Sequence, residues 1–392
     1  MTDKPALLIV APSAELYGSD RALLSALPEL TEAFRVTLAV PAAGPAVALA
    51  VACGAEVIVL PDYAIRRRNL SPTQIAPWVA RTAVALTRLH RLHRQRRFAL
   101  LYSNTLAAGI GFILRPLLRI PHVVHVHECP SGRPRLVGLL LLVTRLSSDR
   151  VICNSAYSRH FLTDHQPSLV SHSVVIHNGI DLPEPLASRA SMGTFRVTCV
   201  ARIHPKKGHE VLIESIRHME TEGRPVELHV FGDNLPEHED LRCRLEHQVE
   251  QSGLQDAVIW HGFVDDTAAM YRDCDVAVVP SVVPEEFSLV CVEAQSMTLP
   301  VVVTGPGGAS EVVVDGETGL VVPPGDARAL ADALSALERD PDRRRRMGRL
   351  GRERMVAKFS RAPYARRVRD LCLEMVAEEP TQRVGEPEGF RR

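Results

Sequence analysis

Short apolar runs alternate with longer amphipathic segments through the first half of the chain. The runs are rich in β-branched residues, which is typical of buried parallel strands, and the longer segments repeat apolar residues at helical spacing. We predict strands at residues 6–11, 35–40, 56–60, 99–103, 122–127, 150–153 and 173–176, and helices at residues 19–33, 77–94 and 155–163. This alternation predicts an α/β fold with a doubly wound parallel sheet and helices on both faces.

Residues 184–194 lack hydrophobic periodicity and contain small and turn-forming residues, so they predict a linker. The alternation then restarts. We expect strands at residues 195–200, 226–231, 258–261, 276–279, 301–303 and 319–322, and helical patterns at 326–358 and 360–377. The chain therefore predicts two domains, residues 1–183 and 195–358. Because ligands bind beyond the carboxyl ends of parallel strands, we expect a cleft shared by both domains. The charged segment 378–392 predicts disorder.

Composition favours an ordinary globular protein, since 46% of the 392 residues are hydrophobic and 23% are charged. A formal net charge of zero gives no indication of a nucleic-acid partner. The first 184 residues carry 19 Lys and Arg against 12 Asp and Glu, so this half is basic. Either an anionic lipid surface or an anionic acceptor would suit such a domain, and solvated helix faces are an equally open interpretation.

The eight cysteines form no CxxC pair, and several lie in apolar runs. They predict buried free thiols in a reducing cytosol, and therefore a cytoplasmic protein. The apolar run at residues 6–11 is too short for the core of a signal peptide. The run at 136–143 is too short to span a membrane. It fits a core helix or a contact with one membrane face, and we expect a core helix.

Two carboxylates bracket the start of a predicted helix that follows the strand at 276–279. Glu285 and Glu293 lie eight positions apart, with Ser288 between them. The free N–H groups of a helix N-terminus bind phosphate, and carboxylates accept hydrogen bonds from hydroxyls. The arrangement suits a nucleotide sugar. Taken alone, an ordinary helix start with acidic residues explains it equally well.

Arg202 and Lys207 lie in a predicted turn between a strand and a helix, followed by Gly208. Two cations at this spacing can reach one diphosphate, Arg with a planar fork and Lys as a point charge. A solvated basic turn is the competing interpretation.

In order and spacing, the segments 174–181, 200–208, 284–294, 307–311 and 315–321 resemble the retaining glycosyltransferases of family 4, which have the GT-B fold. The resemblance is strong over residues 173–334 and weaker at 17–21, 125–128 and 153–155. It implies two Rossmann-like domains, the first for the acceptor and the second for a nucleotide-sugar donor. It also implies that the last helix, 359–377, packs back on the first domain.

The resemblance implies a role for each matching residue. Arg202 and Lys207 would hold the leaving diphosphate, Glu285 would accept from hydroxyls of the transferred sugar, and Glu293 would accept from the ribose. The backbone around the helix start would meet the phosphates, and a later turn would recognise the nucleobase. These two segments are Phe287, Ser288, Leu289 and Val290, and Gly262, Phe263 and Val264.

The first domain contributes fewer residues to the resemblance. His127 would contact the donor sugar, and Gly18 and Ser19 would lie near the donor phosphate and the acceptor. The family often has two glycines where this chain has Gly18 and Ser19, and usually a glycine in place of Ser288. A serine side chain at 288 would narrow the approach to the phosphates or add a hydroxyl donor.

Two patterns suggest a metal site. His125, His127, Glu128 and Cys129 offer ligand types, but no further ligand pair follows at zinc-site spacing. The Asp-x-Asp triplet at 273–275 precedes a strand, at the end remote from the expected cleft. We therefore predict neither a metal ion nor a cofactor.

These observations predict a cytoplasmic, metal-independent, retaining glycosyltransferase of hexosyltransferase type. It would move a sugar from a nucleotide diphosphate to a hydroxyl of a glycan, lipid or small molecule. Peripheral contact with the inner membrane face is a further expectation for the basic first domain. The alternatives are a nucleotide-sugar epimerase or a phosphorylase on the same fold, or a non-catalytic nucleotide-sugar-binding protein. A phosphorylase would need a cofactor-binding lysine that the sequence does not identify. A dinucleotide dehydrogenase is disfavoured because no G-x-G-x-x-G follows a strand.

Overall fold

The computed structural model describes residues 4–66, 69, 71–130, 132–184, 193–234 and 236–377. The described chain forms two compact units. The first contains the residues up to Cys153, Leu162–Ile176 and those from Tyr364 onward, and the second contains Asn154–Phe161 and His177–Pro363. Most of the predicted linker and the whole predicted disordered segment lie outside the described residues.

The first unit is built on a parallel sheet of seven strands in the order β3-β2-β1-β4-β5-β6-β7. The strands are β1 (Ala6–Val10), β2 (Arg35–Val40), β3 (Glu56–Val59), β4 (Phe98–Asn104), β5 (His122–Val126), β6 (Arg150–Cys153) and β7 (Ser173–Val175). The central strand β1 is buried along its whole length because helices cover both sheet faces.

The helices that lie wholly or partly in the first unit are α1 (Gly18–Ala33), α2 (Pro45–Ala52), α3 (Ile75–Arg96), α4 (Ile110–Leu118), α5 (Pro134–Ser147), α6 (Ala156–His165) and, at the end of the chain, α13 (Arg361–Ala377). The first residues of α6, up to Phe161, and of α13, up to Pro363, belong to the second unit. Helices α1, α2 and α13 share one core with Leu7 and Ile9. Helices α3 and α4 share another with Leu8 and Val10. The Tyr364 hydroxyl donates to Ala22 O at 3.0 Å, which fixes α13 against α1.

The second unit repeats the plan with a parallel sheet of six strands in the order β10-β9-β8-β11-β12-β13. The strands are β8 (Phe195–Val200), β9 (Val226–Phe231), β10 (Val258–Gly262), β11 (Val276–Val279), β12 (Val301–Thr304) and β13 (Gly319–Val322). The helices are α7 (His209–Thr221), α8 (Glu239–Gln251), α9 (Leu289–Ser296), α10 (Gly308–Val312), α11 (Ala327–Arg339) and α12 (Pro341–Lys358). The predicted α/β class with two doubly wound sheets is confirmed.

Two sequence predictions differ from the structure. The helical pattern at 326–358 divides at Asp340, because the Pro341 ring disfavours a helical conformation at the residue before it. The carboxylate of Asp340 then caps α12 by accepting from Arg343 N at 2.8 Å.

Residues 136–143 do form a helix, as part of α5 (Pro134–Ser147), but the prediction that this helix is buried in the core is wrong. Val137 and Leu141 are buried, whereas Leu136 and Leu139 are 62% and 57% exposed. The run is apolar on both sides of α5, and only one side can face the sheet. Within the described chain, no helix combines the length and the apolarity needed to cross a membrane.

Candidate functional site

Lys207 and Glu285 meet at the carboxyl ends of two neighbouring strands in the second unit. Lys207 ends a short 3₁₀ turn after β8, and Glu285 lies in the loop after β11. Lys207 Nζ is 2.5 Å from Glu285 Oε1, and their side chains are 33% and 14% exposed. The Ser281 hydroxyl donates to the same carboxylate oxygen. A cation and a largely buried carboxylate that were predicted to serve one ligand are therefore adjacent.

The two loops approach closely because glycines remove the side chains that would separate them. Gly208 has φ = 72°, and a Cβ there would lie 2.0 Å from Pro280 O. Two residues before Gly208, Lys206 O accepts from Val282 N at 3.0 Å. The backbone itself holds the turn that carries Lys207 against the loop that carries Glu285.

A third loop joins this arrangement through Gly308, the first residue of α10. A Cβ at Gly308 would lie 1.7 Å from Glu286 O, and Gly308 N donates to Glu285 O at 2.6 Å. The backbone of Glu285 is therefore held by the β12–α10 connection.

Arg202 takes a different position from its predicted partner Lys207. It is exposed at the end of β8. Within the described part of the chain it forms no hydrogen bond or ion pair. The guanidinium is thus available to an anion, whereas the Lys207 ammonium already has a carboxylate partner.

The N-terminus of α9 is capped by Ser288. Its Oγ accepts from Cys291 N at 3.4 Å, and the residue is only 2% exposed. The serine hydroxyl therefore satisfies a helix N–H. The N–H groups of Leu289 and Val290 have no acceptor among the described residues, as is usual for a first helical turn.

Glu293 lies one turn into α9 and is half-buried. It accepts from the Tyr271 hydroxyl at 3.2 Å. Tyr271 is fully buried, and burial together with the charge of Glu293 raises its pKa well above the ordinary value, so the hydroxyl stays protonated. No motif in the sequence indicates Tyr271, because its partner Glu293 lies 22 positions away.

Phe287 was predicted to belong to the donor site, but its ring packs inward. The ring centroid is 6.2 Å from that of His177 and 6.0 Å from that of Phe359. The side chain therefore anchors the loop, and the backbone remains the part of this residue that can meet a ligand.

The turn predicted to recognise a nucleobase follows β10. Gly262 has φ = 67° and accepts from Gly232 N at 2.7 Å, and Phe263 is 77% exposed. A cavity of about 630 Å³ opens beside this turn, with the Arg242 guanidinium 4.0 Å above the Trp260 ring. Its lining residues are Asp233, Asn234, Pro236, Glu239, Arg242, Glu246, Trp260, His261 and Gly262.

In the first unit, Asn104 joins two of the predicted residues. It ends β4 and is fully buried. Its Nδ2 donates to Ser19 O at 3.2 Å, and its Oδ1 lies 3.1 Å from His127 Nε2. Gly18, the first residue of α1, precedes Ser19. Sequence reasoning missed Asn104, although it stands at the carboxyl end of a predicted strand.

His127 is 7% exposed, and burial lowers its pKa to about 3. The ring is therefore neutral at physiological pH. The nearby His125 forms a hydrogen bond with Tyr102, whose hydroxyl lies 2.6 Å from His125 Nδ1. Burial lowers the pKa of His125 as well.

The Asp-x-Asp triplet serves the fold at the amino end of β11. Asp275 accepts from Arg196 N at 3.0 Å and from the Arg344 guanidinium at 3.1 Å. The side chains of Asp275 and Arg344 are 11% and 7% exposed, so this is a buried ion pair. The described residues contain no cluster of three or more potential metal-ligating side chains.

Glu311 of α10 caps another helix. Its carboxylate accepts from Ala156 N at 2.8 Å and Tyr157 N at 2.6 Å, and lies 3.1 Å from His177 Nε2. Burial alone would raise the pKa of Glu311, but these hydrogen bonds hold it below the ordinary value. Glu311 is therefore a charged cap for α6.

Two family descriptions match this chain. Residues 187–354 match glycosyl transferases group 1, and residues 18–184 match glycosyltransferase family 4. Between them they cover every strand of the two sheets except β1.

Curated relatives are similar over about seven tenths of the chain. The D-inositol 3-phosphate glycosyltransferase of Arthrobacter sp. (strain FB24) is 30% identical over 306 residues, which is 71% of each protein. The lipopolysaccharide core biosynthesis mannosyltransferase LpcC of Rhizobium leguminosarum bv. viciae is 29% identical over 270 residues, covering 67% of this chain and 73% of LpcC.

Solved structures are similar over nearly the whole chain. Anabaena Alr3699/HepE, crystallised with UDP and glucose, has a TM-score of 0.79 and 23% identity, covering 94% of this chain and 99% of HepE. Sucrose-phosphate synthase from Thermosynechococcus elongatus has a TM-score of 0.77 and 23% identity, covering 95% and 100%.

Proposed function

This chain belongs to the group 1 and family 4 glycosyltransferases and has the GT-B fold, and from that membership we propose that it transfers a sugar from a nucleoside-diphosphate sugar to an acceptor hydroxyl, with retention of configuration. The observation that carries the proposal is the contact between Lys207 and Glu285 beside the N-terminus of α9. The HepE crystals, which contain UDP or UDP-glucose, support a nucleotide-sugar donor for this chain. The related enzymes act on inositol phosphate and lipopolysaccharide core, so a polyol or glycan hydroxyl is a suitable acceptor.

In our proposal, the diphosphate of the donor is neutralised from three sides. Lys207 supplies a point charge, Arg202 supplies a planar fork, and the N–H groups of Leu289 and Val290 supply the helix terminus. When the donor enters, its phosphate competes with Glu285 for the Lys207 ammonium. Ser281 remains hydrogen-bonded to Glu285, so the carboxylate keeps its orientation for the sugar hydroxyls.

The chemical step that we propose passes through an oxocarbenium-like transition state, in which negative charge develops on the leaving diphosphate. Fixed cations and N–H groups stabilise such charge without reorganising during the reaction. In a front-face mechanism the departing phosphate accepts the proton of the acceptor hydroxyl, and the new bond forms on the same face of the sugar. His127, neutral and buried, would accept a hydrogen bond from a sugar hydroxyl through Nδ1 and would add no positive charge beside the oxocarbenium-like carbon.

We further propose that the reaction needs no divalent metal and takes place in the cytoplasm. Asp275, which belongs to the Asp-x-Asp triplet, is already paired with Arg344. Lys207 and Arg202 supply positive charge at the other end of the strands. All eight cysteines are free thiols, which suits a reducing compartment.

The test compares two adjacent lysines. Lys207 contacts Glu285, whereas Lys206 is exposed one position earlier in the same turn. Thermal unfolding is measured with a panel of nucleoside-diphosphate sugars, because a ligand that binds only the native state raises Tm. We expect at least one donor to raise Tm in the wild type and in Lys206→Ala, but not in Lys207→Ala.

Transfer is then measured with the donor that binds. NMR of the first-formed glycoside should show the donor's anomeric configuration. An inverted product contradicts retention. Conversion of the donor to its epimer without an acceptor would identify an epimerase, and donor binding without turnover would identify a binding protein.

A further inference from the structure

The outward side of α5 is apolar. Val137 and Leu141 lie on its buried side. On the opposite side, Leu136, Leu139 and Leu146 are 62%, 57% and 73% exposed, at the three- and seven-residue spacings that align side chains along a helix. A helix in water normally turns polar residues outward, so this stripe requires a second explanation.

The apolar surface continues onto the neighbouring helices. Helix α5 packs against α4, and α4 packs against α3. Ile113 and Leu117 of α4 and Val84 of α3 are also 45–51% exposed. Ten of the nineteen exposed large hydrophobic side chains in the described chain lie on these three helices. We call their outward side the α3–α5 face.

The charged side chains of these three helices are all basic. Between Asp62 and Glu128 the sequence contains eleven arginines and no aspartate or glutamate. None of α3, α4 and α5 contains an acidic residue. Arg91, Arg119 and Arg135 are exposed, and no carboxylate of the described residues pairs with them. Solvated helices of globular proteins usually mix both signs of charge.

We propose that the α3–α5 face docks on the surface of a lipid bilayer that carries anionic headgroups. The leucine stripe of α5 would enter the boundary between headgroups and acyl chains, and the arginines would contact lipid phosphates. The apolar side chains match the acyl chains of such a bilayer, and the unpaired arginines match its anionic headgroups. The protein would lie on one leaflet.

A second copy of the chain fits this face less well. Pairing two α3–α5 faces would bring the unpaired arginines of both copies together without a counter-charge, and like charges at an interface are unfavourable. The docking goes beyond the proposed sugar transfer. Vesicle binding is measured without donor or acceptor, so either can fail while the other holds.

The experiment uses the full chain and vesicles of two compositions, phosphatidylcholine alone and phosphatidylcholine with phosphatidylglycerol. Co-sedimentation measures the fraction bound. We expect strong binding to the anionic vesicles, weak binding to the neutral ones, and weaker binding as salt is raised.

Three variants locate the contact. Leu139→Ser with Leu146→Ser should lower the partition coefficient by about tenfold or more, because exposed leucines lose their insertion. Arg91→Gln with Arg135→Gln should lower it by about fivefold for each arginine. The matched control is Leu49→Ser with Val51→Ser on α2, which covers the other face of the sheet. These two side chains are 48% and 55% exposed, and the control should bind like the wild type.

Several results overturn the proposal. Wild-type protein that stays in the supernatant with anionic vesicles contradicts it, as does equal binding to neutral vesicles. A control variant that loses as much binding as the α5 variant shows that the contact lies elsewhere. Sedimentation velocity without vesicles tests the alternative occupant, a second copy of the chain. If the wild type is a dimer and the α5 variant is a monomer, a second copy occupies the face. The arginine variant, whose side chains are exposed, keeps the test decisive if the leucine variant misfolds.

Discussion

His127 Nε2 lies 3.1 Å from Asn104 Oδ1, so the imidazole and the amide determine each other's orientation. The amide nitrogen of Asn104 already donates to Ser19 O, which leaves its oxygen for His127. An oxygen accepts, and the proton of the neutral imidazole is therefore on Nε2. One buried asparagine thus selects a single tautomer of the histidine.

Replacement of this asparagine by aspartate should change the charge of the histidine. In Asn104→Asp a carboxylate faces His127 Nε2, and a nearby negative charge favours the imidazolium. We expect the pKa of His127, about 3 in the native protein, to rise by about one to three units. Titration of the imidazole signals by NMR measures the shift. An unchanged titration would show that Asn104 does not contact the ring in solution.

Stability should fall in mild acid because several histidines are buried in neutral form. Burial lowers the pKa of His122 and His209 to about 4 and that of His127 to about 3. Below pH ~6.5 the unfolded chain binds protons that the native chain does not, so lowering the pH favours unfolding until the native pKa is reached. Each such histidine costs about 1.4 kcal/mol per pH unit in that window.

Urea unfolding at several values between pH 4 and pH 7 measures this slope. His122→Gln should make the dependence shallower, whereas His247→Gln, at an exposed position, should leave it unchanged. A slope that is the same in both variants would place the acid sensitivity in other groups.

Glu285 and Glu293 should give different kinetic signatures when each is changed to glutamine. Glutamine at 293 keeps an acceptor for Tyr271. It should weaken the ribose contact that the family resemblance implies for Glu293, and such a contact is similar in ground and transition states. We expect Glu293→Gln to raise the donor KM by about tenfold with little change in kcat. If Glu285 lies beside the reacting sugar, as we propose, Glu285→Gln removes charge there and should lower kcat by about 100-fold. Equal effects on kcat and KM in both variants would refute this division of roles.

Ser288→Gly should be close to neutral for the donor. The serine side chain caps α9 and is buried, so its removal opens no new route to the ligand. An N-cap serine replaced by glycine costs a few tenths of a kcal/mol, and by alanine about 1 kcal/mol. We expect donor KM within about twofold of wild type in Ser288→Gly. A large gain in activity would mean that the hydroxyl does obstruct the phosphates.

Activity should survive EDTA, and Asp275 should affect stability alone. Removing one partner of a buried ion pair costs about 3–5 kcal/mol. Asp275→Ala should therefore unfold at lower urea concentration, whereas Asp342→Ala, which removes an exposed pair with Arg345, should change little. Loss of activity in EDTA that Mg²⁺ or Mn²⁺ restores would contradict the metal-independent mechanism.

The strands were predictable because their signal is local. The runs at 35–40, 150–153, 195–200, 226–231, 276–279 and 319–322 match the observed strands residue for residue. Buried parallel strands need continuous apolar side chains, and such runs are visible in a single sequence.

The burial of α5 and the partners of the site residues could not be predicted in this way. The side of α5 that faces the sheet depends on its packing, and both of its sides are apolar in sequence. Asn104 and Tyr271 contact residues more than 20 positions away, and neither belongs to a motif with a recognisable spacing. Lys207 and Glu285 were identified from their motifs, but their mutual contact is a property of the folded loops.

The glycine contacts at Gly208 and Gly308 have a consequence for how this site can change over time. The distance between the turn of Lys207 and the loop of Glu285 is set by main-chain atoms, which every amino acid possesses. Side chains elsewhere in these loops can therefore be exchanged while the cation and the carboxylate stay in place. A lineage could alter which sugar or base it accepts by ordinary point substitutions around a constant frame. Substitution of either glycine, in contrast, would push the loops apart and weaken the binding of every donor sugar.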